Sequence, residues 1–219
     1  MLAIKPRQVR SRREWNQLLK SWDYGSASQL EHARRYTVSF PSDYAGWIAL
    51  ADALWSLARY MEAKAALRTA ERLVPPKSRY RAWEQWGHMY REMNDLRRAE
   101  KWYRKALRAH RSARGHILLG ATLARQGRRK QAERQHRAAI KAGTPGEPID
   151  EAHVNLALMR RASEDYSDAA KHLREALKID SSNEDARAVL RDVTRAMRLA
   201  GKSPQPPPRG GGKRSTLAR

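Results

Sequence analysis

At 219 residues, 41% of them hydrophobic, the chain is long enough to bury a substantial core, either as one elongated domain or as a small array of units. It has no cysteine, which excludes disulfides, thiolate metal sites and a cysteine nucleophile. No run of about 18 apolar residues occurs, which excludes a helical membrane span; the net charge of +22 favours polyanionic partners without dictating a fold.

The charge is unevenly placed: +5 over residues 1–20, −1 over 21–71, +15 over 72–141, −2 over 142–200 and +5 over 201–219. Alanine and arginine are abundant while valine, isoleucine and threonine are sparse, so helix formers dominate strand formers. The opening stretch "MLAIKPRQVRSRREW" is arginine-rich and lacks the apolar core of a secretory signal, which fits an intracellular, cytoplasmic protein. Residues 12–40 carry Trp15, Leu18, Leu19, Trp22, Leu30 and Ala33 and read as a degenerate helix pair. Residues 1–43 are therefore expected to be a basic segment and a helical cap.

Four segments then align: "WIALADAL" (47–54), "WEQWGHMY" (83–90), "HILLGATL" (116–123) and "HVNLALMR" (153–160). Nine residues after each comes an alanine, Ala63, Ala99, Ala132 and Ala169, followed by a bulky residue at four and an alanine at seven. The pairs are Leu67/Ala70, Tyr103/Ala106, His136/Ala139 and Leu173/Ala176. Successive alanines are 36, 33 and 37 residues apart, around the 34 expected of a helix–turn–helix unit. Asn94-Asp95 and Gly127 mark turns inside units, and "VPPKS" and "GTPGEP" mark the longer breaks between them.

With Trp83, Trp86, Gly87, Tyr90, Ala99, Tyr103 and Ala106 in the second unit, the chain resembles the tetratricopeptide repeat (TPR) family. The first unit matches through Trp47, Leu50, Ala51, Leu54, Ala63, Leu67, Ala70 and Pro75, and the third through Leu119, Gly120 and Leu123. The fourth has Arg160 where an aromatic is usual. The resemblance covers roughly 44–182 and implies an all-α, right-handed α-solenoid of about four units: 44–77, 80–112, 113–146 and 150–182. One unit cannot bury its apolar stripe alone, so neighbours must stack. Residues 183–200, with Ala186, Val189, Leu190, Val193 and Met197 on one side, are expected to form a C-terminal capping helix. Residues 201–219 read as a disordered, basic, Pro/Gly-rich tail.

In this family the first helices line a concave groove that grips a peptide or a partner's helix. The matching positions here are Ile48 and Trp55, then Arg81, His88 and Arg91, then Arg114, Ile117 and Arg125, then Val154, Leu158 and Arg161. Trp55 is expected to be an exposed ring in the groove, with packing against the cap as the bland alternative. Arg91, Arg125 and Arg161 read as a ladder for carboxylates or phosphates, or else as partners of Glu84, Glu92 and Glu151. Relatives that hold chaperone C-termini use a lysine and an asparagine where this chain has Ile48 and Asp52, which argues against that ligand.

Trp83, Trp86, Tyr90 and Tyr103 hold packing positions and are expected to be buried; Trp102 is expected on the outer face of its helix. Around it lie Arg97, Arg98, Lys101, Arg104, Lys105 and Arg108, and on the next second helix Arg128, Arg129, Lys130, Arg134 and Arg137. This is a candidate polyanion surface with few balancing acids, or else a solvated convex face.

"DEAH" at 150–153 opens a repeat helix with no phosphate loop to accompany it. "GGGKRST" has Arg214 where such a loop needs serine or threonine. Glu133 and His136 have metal-ligand spacing but no companion pair. No catalytic residue, metal or cofactor is expected. The function implied is a non-catalytic adaptor binding an acidic peptide or partner protein in the groove. The alternative is a factor associated with RNA or ribonucleoprotein through its basic convex face and tails.

Overall fold

The computed structural model describes residue 13 and residues 27–144 and 146–201. Among these, ten α-helices and one 3-10 turn account for the regular structure, and there is no strand. The helices are α1 (Ala27–Ser39), α2 (Tyr44–Ser56), α3 (Tyr60–Leu73), α4 (Tyr80–Glu92), α5 (Leu96–Ala109), α6 (Ala113–Arg125), α7 (Arg129–Ala142), α8 (Ile149–Arg161), α9 (Tyr166–Ile179) and α10 (Glu184–Ala200). The expected first helix of the N-terminal cap and the basic tail beyond Gly201 lie outside the described residues.

From α2 to α9 the helices alternate strictly between 13 and 14 residues. Short polar side chains start several of them. Asp43, Asp95, Ser112, Asp165 and Asn183 each accept a hydrogen bond from a backbone N–H of the first turn, satisfying donors that have no partner inside the helix. Between the two helices of each unit the chain reverses through one left-handed residue: Ala58 (φ 58°), Asn94 (59°), Gly127 (76°) and Glu164 (60°). Each stands five positions before its unit's first core alanine.

The two helices of a unit meet through a bulky residue set into a gap left by a small one. A Cβ on Gly87 would lie 2.6 Å from the Tyr103 ring, and one on Gly120 would lie 2.6 Å from His136. Leu67 and Leu173 hold the same register opposite Ala51 and Ala157, and all four bulky side chains are buried. The first helix of each following unit then packs on the second helix before it. Tyr36 of α1 fills the same kind of slot over Gly46, where a Cβ would come within 2.3 Å, and its hydroxyl donates to Asp43 Oδ2 at 2.6 Å. At the other end α10 packs on α9 with Ala186 and Val193 buried.

His136 is the exception among the slot residues because a histidine side chain ordinarily titrates near neutral pH. It is 1% exposed, its Nδ1 has no hydrogen-bond partner, and burial pulls its pKa down to about 4. The unfolded chain therefore takes up this proton at higher pH than the folded one. The stabilising difference is full above about pH 6.5 and drains as pH falls toward 4, by roughly 3 kcal/mol at most. His136→Leu, which restores the residue of the first and fourth slots, is expected to flatten this part of the urea-unfolding stability profile and to stabilise the protein at pH 5. A second expectation concerns the turns. Ala58→Gly and Glu164→Gly relieve left-handed strain and should each gain about 0.5–1 kcal/mol in chemical denaturation, whereas Gly127→Ala should lose a similar amount.

Candidate interaction surfaces

First helices of neighbouring units touch, α2 with α4 and α6 with α8, which puts them on the inner side of the curve. The second helices, α3, α5, α7 and α9, face outward. The inner wall holds an open cavity of about 540 Å³ where the N-terminal turns of α2, α4 and α6 meet the loop Gly146–Pro148. Tyr44, Ile48, Tyr80, Arg81, Glu84 and Arg114 line it. Arg81 stays next to Tyr80, its guanidinium 5.9 Å from the ring centre, and Tyr80 stacks on His110 at 4.1 Å. Arg114 is exposed and makes no direct ion pair among the described residues. Burial raises the pKa of Glu84 against the pull of Arg114 and Arg81. It also raises that of Glu151, with Asp150 adding to the effect. Burial and then Arg91 lower that of His88.

Of the residues expected in the groove, Arg81, His88, Arg114, Arg125 and Arg161 are exposed and Ile48, Arg91 and Val154 half-buried; Leu158 is exposed. Ile117 is not accessible. At 4% exposure it packs with Ala113, Ala139 and Ala152 between the third and fourth units, so its helical face is covered by the next unit. Trp55 is not an exposed ring either. It is half-buried against the first core cluster, and its ring lies 4.5 Å from Tyr60 on its own unit's second helix. The arginine ladder is tied down. Arg91 is 3.5 Å from Glu92, as the bland reading had it. Arg125 instead donates to the Arg91 carbonyl and to Asn94 Oδ1, and Arg161 faces Asp192 of α10 at 3.8 Å. Arg125 and Arg161 thereby tie their helices to α4 and α10, while Arg91 pairs within its own helix.

Tyr44 and Tyr80 escaped the sequence reading, which began at Ile48 in the first unit and at Arg81 in the second. The available signal was their equivalence: each stands three residues before its unit's leading tryptophan.

On the outer side, the aromatics divide differently from expectation. Trp86 and Tyr103 are buried, but Trp83 and Tyr90 are only half-covered. Trp102 is not a free outer ring: it stacks on Trp86 with centroids 5.7 Å apart and planes 19° apart. Glu71 of α3 accepts from both indoles, Trp83 Nε1 at 2.8 Å and Trp86 Nε1 at 3.0 Å. Lys105 Nζ lies 4.2 Å from the Trp83 ring centre, 4.6 Å from that of Trp102 and 4.0 Å from Glu71. This cluster clamps α3, α4 and α5 together and occupies Lys105, which is therefore not a free cation.

Several other cations of the block are also engaged. Arg98 pairs with Asp95, Arg104 and Arg128 share Glu100, Arg137 pairs with Glu133, and Arg129 donates to the Met159 carbonyl. Arg160, at the position where the pattern wants an aromatic, bridges Glu133 of α7 and Asp168 of α9. Among the described residues, Arg97, Lys101, Arg108, Lys130 and Arg134 make neither an ion pair nor a side-chain hydrogen bond.

Models of the tetratricopeptide repeat match residues 80–111 and 117–184. Combined with the paired helices and their small-to-large packing, this decides the family. The chain belongs to the tetratricopeptide repeat family. Its fold is shared by solved structures of low identity. A chain of the APC/C hetero-tetramer Cut9–Hcn1 aligns at TM-score 0.65 and 15% identity over 86% of this chain and 35% of that one. BtubC from P. vanneervenii aligns at TM-score 0.58 and 16% identity, covering 94% and 98% of the two chains. YrrB, a TPR protein with an unusual peptide-binding site, aligns at 0.51 and 19% identity, covering 77% and 85%. This TPR chain thus spans about a third of the length of the Cut9–Hcn1 chain it aligns with. No curated protein sequence matches it. TPR arrays are protein–protein interaction scaffolds, and in this one no helix among the described residues is long and apolar enough to cross a membrane.

The Glu71 clamp yields a direct expectation. Glu71→Gln retains one acceptor for two indoles and should cost about 1 kcal/mol. Glu71→Ala strands both indoles and Lys105 and should cost about 2–4 kcal/mol in urea denaturation, with a shift in tryptophan emission.

Proposed function

We propose that the protein is a non-catalytic adaptor whose concave face takes an acidic segment of a partner protein, anchored in the cavity between α2, α4 and α6. One observation carries this reading. Arg114, exposed and in no direct ion pair among the described residues, and Arg81 flank an open cavity of about 540 Å³ bordered by Glu84 and by the apolar surfaces of Tyr44, Ile48 and Tyr80. An aspartate or glutamate side chain, or a terminal carboxylate, would meet two guanidinium groups there while neighbouring apolar residues cover the rings. Guanidinium groups bind carboxylates bidentately, and tyrosines supply contact area with little entropy to lose. Members of the family are generally non-catalytic scaffolds, and YrrB joins this fold to peptide binding. The remaining arginines of the expected groove are engaged, Arg91 with Glu92 and Arg125 and Arg161 with neighbouring helices, so the reading concentrates on this cavity and sets Ile117 aside.

Peptides selected from a random display library against the full chain should be enriched in aspartate and glutamate. Arg114→Glu should weaken their binding at least tenfold, since a charge-assisted hydrogen bond is worth about 1.5–3 kcal/mol, while leaving the thermal midpoint unchanged. Selected peptides that bind Arg114→Glu and Tyr80→Ala as well as the parent protein would remove the cavity from consideration.

A further inference from the structure

The cations that the ion pairs leave over are not scattered. On α5, Arg97, Lys101, Arg104 and Arg108 follow one another at steps of four, three and four residues. On α7, Lys130, Arg134, Arg137 and Lys141 repeat the same steps, 33 residues later. Both sets hold identical positions relative to their core alanines, Ala99 and Ala132, and all eight side chains are exposed. Each set is therefore a row about 16 Å long on the outer face of a rigid second helix, with cations every 5–6 Å or so. Only two of the eight are held by carboxylates, Arg104 by Glu100 and Arg137 by Glu133. The rows continue on α9 with Lys171 and Arg174, which are exposed and form no ion pair among the described residues.

What surrounds the rows selects the partner. No large apolar side chain of α5 or α7 is exposed. Trp102 and Lys105, the aromatic and cation that would otherwise suggest base stacking, are taken up by the Glu71 clamp. A protein interface needs an apolar or aromatic centre from which water is excluded. A nucleic-acid backbone needs only cations at regular spacing, because affinity there comes from counterion release. Reading of single-stranded bases would need free rings. We infer that the outer faces of α5 and α7 bind the phosphodiester backbone of duplex nucleic acid without reading its sequence. The surface is separate from the proposed groove, and the array can hold protein on one side and nucleic acid on the other.

The test measures binding of the full chain to mixed-sequence 20-base-pair DNA and RNA duplexes by fluorescence anisotropy as a function of salt. Six unpaired row cations predict a slope of log Kobs against log salt of about −5 or steeper. The variant Arg97→Gln/Lys101→Gln/Lys130→Gln/Arg134→Gln should make that slope shallower by about 3–4 and lower affinity by about 10⁴-fold or more at 0.05 M salt. Arg114→Glu, in the groove, should leave the slope within about one unit of the parent's. Binding to either duplex that is lost in the row variant supports the inference, and the tighter duplex names the source of the backbone. Four outcomes would each overturn it: no binding to either duplex, a row variant indistinguishable from the parent, loss only when Lys202, Arg209, Lys213 and Arg214 of the tail are changed, and capture of polyglutamate or anionic vesicles in preference to both duplexes. Circular dichroism melts of the row variant, whose four changes are all at exposed positions, separate lost contacts from lost folding.

Discussion

The structure depends on one steric constraint, repeated four times: a bulky side chain on the second helix of a unit set against a small residue on the first, sixteen positions earlier. Tyr103 over Gly87 and His136 over Gly120 leave no room for even a Cβ. Leu67 and Leu173 stand opposite Ala51 and Ala157 in the same register. Because side chains on a helix repeat every 3.6 residues, fixing this one contact fixes which face of each helix is inward. That in turn fixes which positions can stack on the next unit and which are left to solvent. The pairing tolerates different bulky residues, including a histidine held neutral, because what it requires is volume at that point.

With the inward faces set this way, charge is confined to what remains. The second helices expose one row each, and on α5 and α7 the exposed row is almost wholly basic. Acids are too few to neutralise it, and several of them are used more than once: Glu100 serves Arg104 and Arg128, and Glu133 serves Arg137 and Arg160. Exposed pairs of this kind contribute little to stability. Their structural consequence is to subtract specific arginines from the surface and leave a regular set uncommitted. The inner wall is treated differently. There Arg125 and Arg161 are spent joining their helices to α4 and α10, Arg91 pairs with Glu92 beside it, and Arg114 makes no direct ion pair among the described residues.

The repeat was legible because its spacing is set by packing geometry, which sequence reports directly. The four alanines and the residues four and seven positions later lie where the spacing put them, and all twelve are buried. The turns were half legible. Asn94 and Gly127 are residues that adopt left-handed backbone readily, but Ala58 and Glu164 occupy the same position without advertising it. The candidate site was less readable, because accessibility depends on neighbours and a single helix does not contain them. Ile117 faces the groove by periodicity, yet Ala139 and Ala152 close over it. Trp55 has the right register for an exposed anchor but meets Tyr60 across the intra-unit turn. Tyr80 became visible as a cavity wall only once α2, α4 and α6 were brought together.

The largest departure, at Trp102, lies at the junction between the first and second units. Between the first and second units the chain runs through Pro75 and a 3-10 turn at Pro76–Ser78, and α3 packs on α4 less extensively than α5 packs on α6. Alanine-sized contacts cannot bridge the wider junction. It is filled instead by Trp83, Trp86 and Trp102, the largest side chains available, with Glu71 reaching across to satisfy two indole N–H groups. A carboxylate partly withdrawn from water needs compensation, which the two indoles and Lys105 provide. The aromatic density of residues 83–102 thus belongs to this looser junction; the other long break, before α8, leaves a closely packed one. The arginines interleaved with it follow a separate rule, that of the exposed row. Two patterns with different causes share one stretch of sequence, and only the three-dimensional register separates them.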